Sequence, residues 1–263
     1  GCMEEYAQTE WPNLNVYMNS ITEQYATFNI SGPKTRNIIE KVFPEVNFSN
    51  EAFPFMTFQF HEYEDIPIRI LRASFTGEMG YEIYVPSNQA VKIWEKIISF
   101  GKEFGLMPYG TETMHLLRAE KGYIIVGQDT DGSITPLDLG LDWMIGKSKK
   151  DFLGKRSLIR SDTIRKDRKQ LVGILPINKN DRLEEGQHII LDKEIKTPMP
   201  MLGHITSCYQ SPTLGHNFAL AVIKNGQSLI GTKAFASTPE LKTIEVEIVE
   251  PIFYDKENTK LAS

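Results

Sequence analysis

Cysteine is nearly absent: Cys2 and Cys208 are the only two in 263 residues. That excludes a disulfide framework and a cysteine-rich zinc site, and it fits a reducing compartment, with the cytosol as the expected location. Long apolar runs are missing too. None approaches the roughly 20 residues that cross a bilayer, and the opening GCMEEYAQTEW has neither the basic nor the apolar part of a signal peptide. The five histidines are scattered without ligand spacing, which argues against a metal site. There is no G-x-G-x-x-G and no G-x-x-x-x-G-K-[ST], so these phosphate-cradling loops are excluded. A formal charge of −5 argues against a nucleic-acid partner held by an overall positive field. No internal repeat is evident, which makes a solenoid a poor description. Gly1-Cys2 stands where a native chain starts with Met, and reads as the remnant of a cleaved tag on an N-terminally shortened chain.

What is present is ordinary for a globular protein: 41% hydrophobic and 24% charged residues, enough for one large core or two smaller ones. Val16 to Ile30 is strand-like. SGPKTRNIIEKVFP follows as a helix, with Ser31 or Gly32 as cap, Pro33 in the first turn and Pro44 as the stop. IPIRILRASF (66–75) and YEIYVP (81–86) read as a hairpin across the turn TGEMG, which puts Glu82 and Tyr84 on one face. Ala90, Ile93, Trp94, Ile97 and Ile98 recur at helical spacing, and TETMHLLRAEK is a second helix bracketed by Gly110 and Gly122. This alternation indicates an α+β layer domain.

Beyond the charged stretch 146–169 the texture changes to six short β-rich runs: QLVGILPI, HIILD, LGHITSCY, FALAVIK, TKAFAS and TIEVEIV. They predict a small barrel or sandwich. The division expected is an α+β domain over 1–150 and a β domain over 151–263. Ten lysines and arginines in 146–169 form a basic stretch, read here as a solvated surface. Cys208 lies in an apolar strand pattern, where a small core side chain is the expected role. GQDTDGSITP lacks the glutamate and the Asp spacing of a calcium loop and reads as a solvated turn.

Glu82 is the unusual residue. Flanked by Tyr81, Ile83, Tyr84 and Val85, its carboxylate either faces water on the open side of the strand or is held in a pocket that donates hydrogen bonds to it.

Four segments, LRASFTGEMGYEIYVP, PYGTETMHLLRAEKGYIIVGQDTDGSITPLDLGLDW, DFLGKRSL and SPTLGHNFALAVIK, occur in the order seen in the aminomethyltransferase family, which includes the T-protein of the glycine cleavage system. The resemblance covers nearly the whole chain. Within that family NEAFPFMTF, YGTETMHLLRAEKGYIIVGQDTDG and PMPMLGHITS are similar to the C-terminal region of sarcosine oxidase alpha subunits.

The resemblance implies α+β folate-binding modules followed by a small antiparallel β-barrel, with tetrahydrofolate as ligand and one-carbon transfer as chemistry. It implies that Glu82, in the GYE motif, holds the pterin edge. Tyr84, Phe75, Tyr109 and Tyr254 are the further candidates to line the pocket, although Tyr84 equally suits the core. In the sarcosine oxidase branch it implies a flavin in another subunit or region, and other oxidase subunits as partners. Three departures follow from the same comparison. Met114 stands where free-standing T-proteins carry an arginine that helps hold folate. Phe75 replaces the tyrosine of the S-Y-x-G-E motif. The family's catalytic aspartate has no matching position in this chain.

Overall fold

The computed structural model describes residues 1–262, which form two compact units. The first comprises residues 1–74 and 79–107, the second 75–78 and 108–262. The loop 75–78 therefore packs with the second unit although it interrupts the first.

In the first unit, helix α1 (Cys2–Thr9) precedes a stretch of exposed, irregular chain. The strand expected from Val16 is shorter: β1 runs Tyr25–Ser31. The reason is pairing. Its antiparallel partner β4 (Gly80–Pro86) offers positions only from Tyr25 opposite Pro86 to Ser31 opposite Gly80. Helix α2 (Thr35–Val42) takes Lys34 as N-cap, not Ser31 or Gly32. Ser31 is spent on the strand, its hydroxyl donating to Asn29 Oδ1 at 2.5 Å, and the Gly32 N–H still donates to Met79 O. The helix buries Thr35, Ile38, Ile39 and Val42, the i, i+3, i+4, i+7 stripe of an amphipathic helix.

Strands β2 (Phe58–Tyr63) and β3 (Ile66–Leu71) complete an antiparallel sheet of order β1-β4-β3-β2, and α3 (Ala90–Gly101) follows. Alternation along β4 sends Tyr81, Ile83 and Val85 into a core shared with Ile39, Phe43, Ile68, Ile70 and Ile93. Glu82 and Tyr84 are left on the opposite face.

The second unit opens with α4 (Thr111–Glu120). Gly122 closes it at φ +76, and an added Cβ there would lie 2.4 Å from Pro251 O, so only glycine fits. Six strands follow: β5 (Lys169–Pro176), β6 (His188–Ile190), β7 (Gly203–Ser211), β8 (His216–Lys224), β9 (Lys233–Ser237) and β10 (Thr243–Val249). They close into a barrel of order β10-β5-β8-β7-β6-β9. Val172, Ile174, Ile205, Ala219, Ala221, Ala234, Val246 and Ile248 fill it, and the alanines keep a narrow interior closable. Strand β8 is buried on both faces, because Phe218, Leu220 and Val222 pack outward on Ala119 and Leu171. A short helix α5 (Thr259–Ala262) ends the described chain.

The segment 127–136 departs from the solvated turn expected of it. Asp131 does cap local backbone, accepting from Ser133 N at 2.8 Å, but Asp129 is fully buried against Arg118. No helix among the described residues is long and apolar enough to cross a membrane.

Candidate functional site

The register of the four-stranded sheet lays out the face on which Glu82 sits. Across the strands, one row reads Asn29, Glu82, Leu71, Phe58, and the next Thr27, Tyr84, Arg69, Phe60. This face is open: Asn29 and Thr27 are exposed, Glu82, Tyr84, Arg69 and Leu71 are half-buried, and Phe58 and Phe60 are 44% and 72% exposed.

Within it the Tyr84 hydroxyl donates a hydrogen bond to Glu82 Oε2. The Tyr84 phenol is pushed up to about 12, first by burial and then by the adjoining carboxylate, which accepts its proton and repels a phenolate. The ring of Phe58 lies 6.2 Å from that of Tyr84 and 5.1 Å from that of Phe60, so an aromatic ledge borders the carboxylate. A carboxylate has about four acceptor positions. One engaged by Tyr84 leaves capacity for a paired N–H donor edge.

The other sequence-derived candidates lie in the second unit. Phe75 sets its ring 6.5 Å from that of Tyr123. Tyr254 donates its hydroxyl to Glu78 Oε1, and its backbone N–H donates to Glu120 O at 2.9 Å. Its phenol is also pushed up to about 12, by the Glu78 hydrogen bond first and burial second. Phe75 thus belongs to the loop 75–78, and Tyr254 is bonded to Glu78 of the same loop. Tyr109, 40% exposed, lies just ahead of α4, and Met114 is half-buried on it.

Glu82 and Tyr84 are therefore brought together in the first unit, and Phe75 and Tyr254 around one loop in the second. Sequence reasoning passed over Phe58, Phe60 and Arg69. The signal was the alternation of FQFHEY against IPIRIL, whose register places them beside Tyr84. The second unit also holds an open cleft of about 750 Å³ lined by apolar side chains including Ile124, Ile134, Leu139, Met144 and Phe152. None of the candidate residues lines it.

An α+β module with a carboxylate on its open sheet face, followed by a closed six-stranded barrel, defines the class. Residues 1–149 match the family described as GCVT N-terminal domain, and residues 169–255 the Glycine cleavage T-protein C-terminal barrel domain. The chain belongs to the glycine cleavage T-protein family. It is 46% identical, over 98% of its length, to sarcosine oxidase subunit alpha of Corynebacterium sp. (strain P-1), and spans 27% of that protein. It is 31% identical, over 94% of its length, to an aminomethyltransferase of Thermoanaerobacter pseudethanolicus, and spans 65% of it. The crystal structure of glycine cleavage system aminomethyltransferase T from Bartonella henselae matches 97% of this chain and 66% of its own, with a TM-score of 0.74 at 21% identity, which establishes a shared fold.

Proposed function

We propose that the chain is a tetrahydrofolate-binding, one-carbon-accepting module working within a sarcosine oxidase alpha subunit. The observation that carries this reading is Glu82 on the open sheet face, half-buried and oriented by Tyr84. The pterin's aminopyrimidine edge offers a ring N–H and an amino group side by side, and one carboxylate accepts both in a fork. The Tyr84 hydroxyl holds the acceptor in place before the ligand arrives, while the Phe58 ring supplies an apolar flank.

Tetrahydrofolate, when bound, supplies the two nitrogens that take up a one-carbon unit at the formaldehyde level, giving 5,10-methylene-tetrahydrofolate. In this reading sarcosine is oxidised at a flavin held in another subunit or another region of the longer protein, and the other oxidase subunits are the partners. The gain is sequestration, because a reactive electrophile meets its acceptor without crossing bulk water. This chain's residues bind and orient, and none is assigned a proton-transfer role. Phe75, Tyr109 and Tyr254 are proposed, on the family resemblance, as further folate-contacting residues. The functional division is a folate-binding domain over 1–150 and a barrel domain over 151–263, working in the cytosol.

A second reading is a free-standing aminomethyltransferase, favoured by the relative matched over 94% of this chain. It uses the same carboxylate and differs in the donor, a lipoyl carrier protein in place of sarcosine oxidation.

Calorimetry with tetrahydrofolate tests the shared core of both readings. Saturable binding by the wild-type chain is expected, and Glu82→Ala should weaken it at least about tenfold, since a charge-assisted partner is lost. Thermal stability should hardly change. An unchanged dissociation constant would remove Glu82 from the site.

A further inference from the structure

Arg69 differs from the arginines that hold the structure together. Arg72 donates to Asn50 Oδ1 and Phe53 O, Arg118 pairs with Asp129, and Arg168 with Asp138. The guanidinium of Arg69 instead lies 4.3 Å from the centroid of the Tyr25 ring and 5.6 Å from that of Phe60. It has no carboxylate and no hydrogen-bond acceptor among the described residues.

A guanidinium held by aromatic rings is pre-organised, and its N–H fork suits a carboxylate bidentately. Leaving five donors on a half-buried cation without an oxygen partner is a cost that a ligand anion would remove.

Its position on the sheet says which end of a ligand it would meet. Arg69 is opposite Tyr84 on the open face, and the Tyr25 beneath its guanidinium is opposite Pro86. Tyr84 folds its hydroxyl back to Glu82, whereas Arg69 reaches toward the far end of β4. Glu82 and Pro86 are four residues apart on one strand, about 13 Å by strand rise. The face thus carries an acceptor at one end and an unpaired cation at the other, with Tyr84 between them and Phe58 and Phe60 on the edge strand to one side.

We propose that Arg69 is the anion-binding end of this site and receives a carboxylate of the p-aminobenzoylglutamate portion of tetrahydrofolate, while Glu82 takes the pterin. This inference rests on the tetrahydrofolate reading and adds a specificity-determining residue to it. Arg69 selects for the acidic tail. Glu82 selects for the pterin.

The experiment compares two ligands on one set of variants: tetrahydrofolate, and tetrahydrobiopterin, which has the reduced pterin without the acidic tail. Dissociation constants are measured by calorimetry for wild type, Arg69→Gln, Arg69→Lys and Glu82→Gln, with circular dichroism confirming that each variant is folded. Arg69→Gln should weaken tetrahydrofolate about tenfold or more and leave tetrahydrobiopterin within about twofold. Arg69→Lys should recover part of the loss, keeping the charge without the fork. Glu82→Gln should weaken both ligands. If Arg69→Gln leaves both unchanged, or weakens both equally, Arg69 is not a tail-binding residue and the Glu82 reading stands. If wild type binds neither ligand, the folate reading itself fails and takes this one with it.

Discussion

Arg118 and Asp129 form an ion pair of 2.5 Å in which both side chains are fully buried. Ser207 donates to the Asp129 carboxylate at 2.6 Å and accepts from Arg118 at 2.8 Å, Thr206 donates to Asp129 at 2.6 Å, and the Ile125 N–H donates to it at 2.9 Å. The pair therefore ties α4 and the segment after it to strand β7.

Asp129→Ala should leave Arg118 as a buried charge without compensation and cost about 3–5 kcal/mol. Urea unfolding followed by circular dichroism would read this as a lower midpoint at unchanged slope. Replacing both partners, Arg118→Met with Asp129→Leu, should cost clearly less than the sum of the single changes, because no unpaired charge remains. Additive losses would show that the network, not the charge balance, carries the stability.

Tyr84 should ionise only near pH 12. Burial is the main cause, and the Glu82 carboxylate is the second. Glu82→Gln should move this titration down toward the ordinary value of about 10 without reaching it, since burial remains. Spectrophotometric titration of the tyrosines, with Tyr84→Phe as the blank, isolates the one group. A Tyr84 titration that does not respond to Glu82→Gln would mean the two side chains are apart in solution.

Glu120 predicts a pH effect of the opposite kind to a salt-bridged acid. Burial raises its pKa above 4.5, only partly offset by a hydrogen bond from Ser211 at 2.5 Å. Its ionised form is thus disfavoured in the fold relative to the unfolded chain, and this cost is fully present at pH values above the raised folded pKa. Glu120→Gln should therefore be at least as stable as wild type at neutral pH. Its advantage should shrink as pH falls through the folded pKa toward 4.5 and vanish below it, where wild type is protonated in both states. Thermal melts of the two proteins from neutral to acid pH check the convergence.

Gly203 opens β7 where the barrel leaves no room for a side chain. A Cβ there would lie 1.9 Å from Val222 O on the neighbouring strand. Gly203→Ala should cost about 3 kcal/mol, at the upper end for overpacking, because backbone rather than a flexible side chain must move. A melting temperature equal to wild type would show that β7 and β8 are not in register there.

The barrel was legible because its six strands each carry a β-rich run between turn signals, and a fully buried strand such as β8 reads as an unbroken apolar stretch. Glu82 and Tyr84 were placed on one face by period-two alternation alone. The misses have physical causes. Helix α1 buries no residue, so it has no apolar stripe to betray it. Strand β2 turns Phe58 and Phe60 outward and Tyr63 inward, which inverts the usual pattern. Residues 16–24 have strand-like composition but no strand beside them to pair with. Asp129 was read from its glycine- and Asp-rich surroundings, whereas its partners Thr206 and Ser207 lie 77 and 78 positions away. Arg69 carried no signal of its own in the sequence, because its two ring partners, Tyr25 and Phe60, lie on other strands and only the register brings them to it.

Closure of the barrel also constrains the order in which the chain can be completed. The ladder between β5 and β10 pairs Gly173 with Val249 and Pro176 with Val246. The first barrel strand to leave the ribosome therefore waits for the last, with all four intervening strands already made. Until synthesis passes Val249, β5 has an unpaired edge on a growing polypeptide, and such an edge is a template for pairing with other nascent chains.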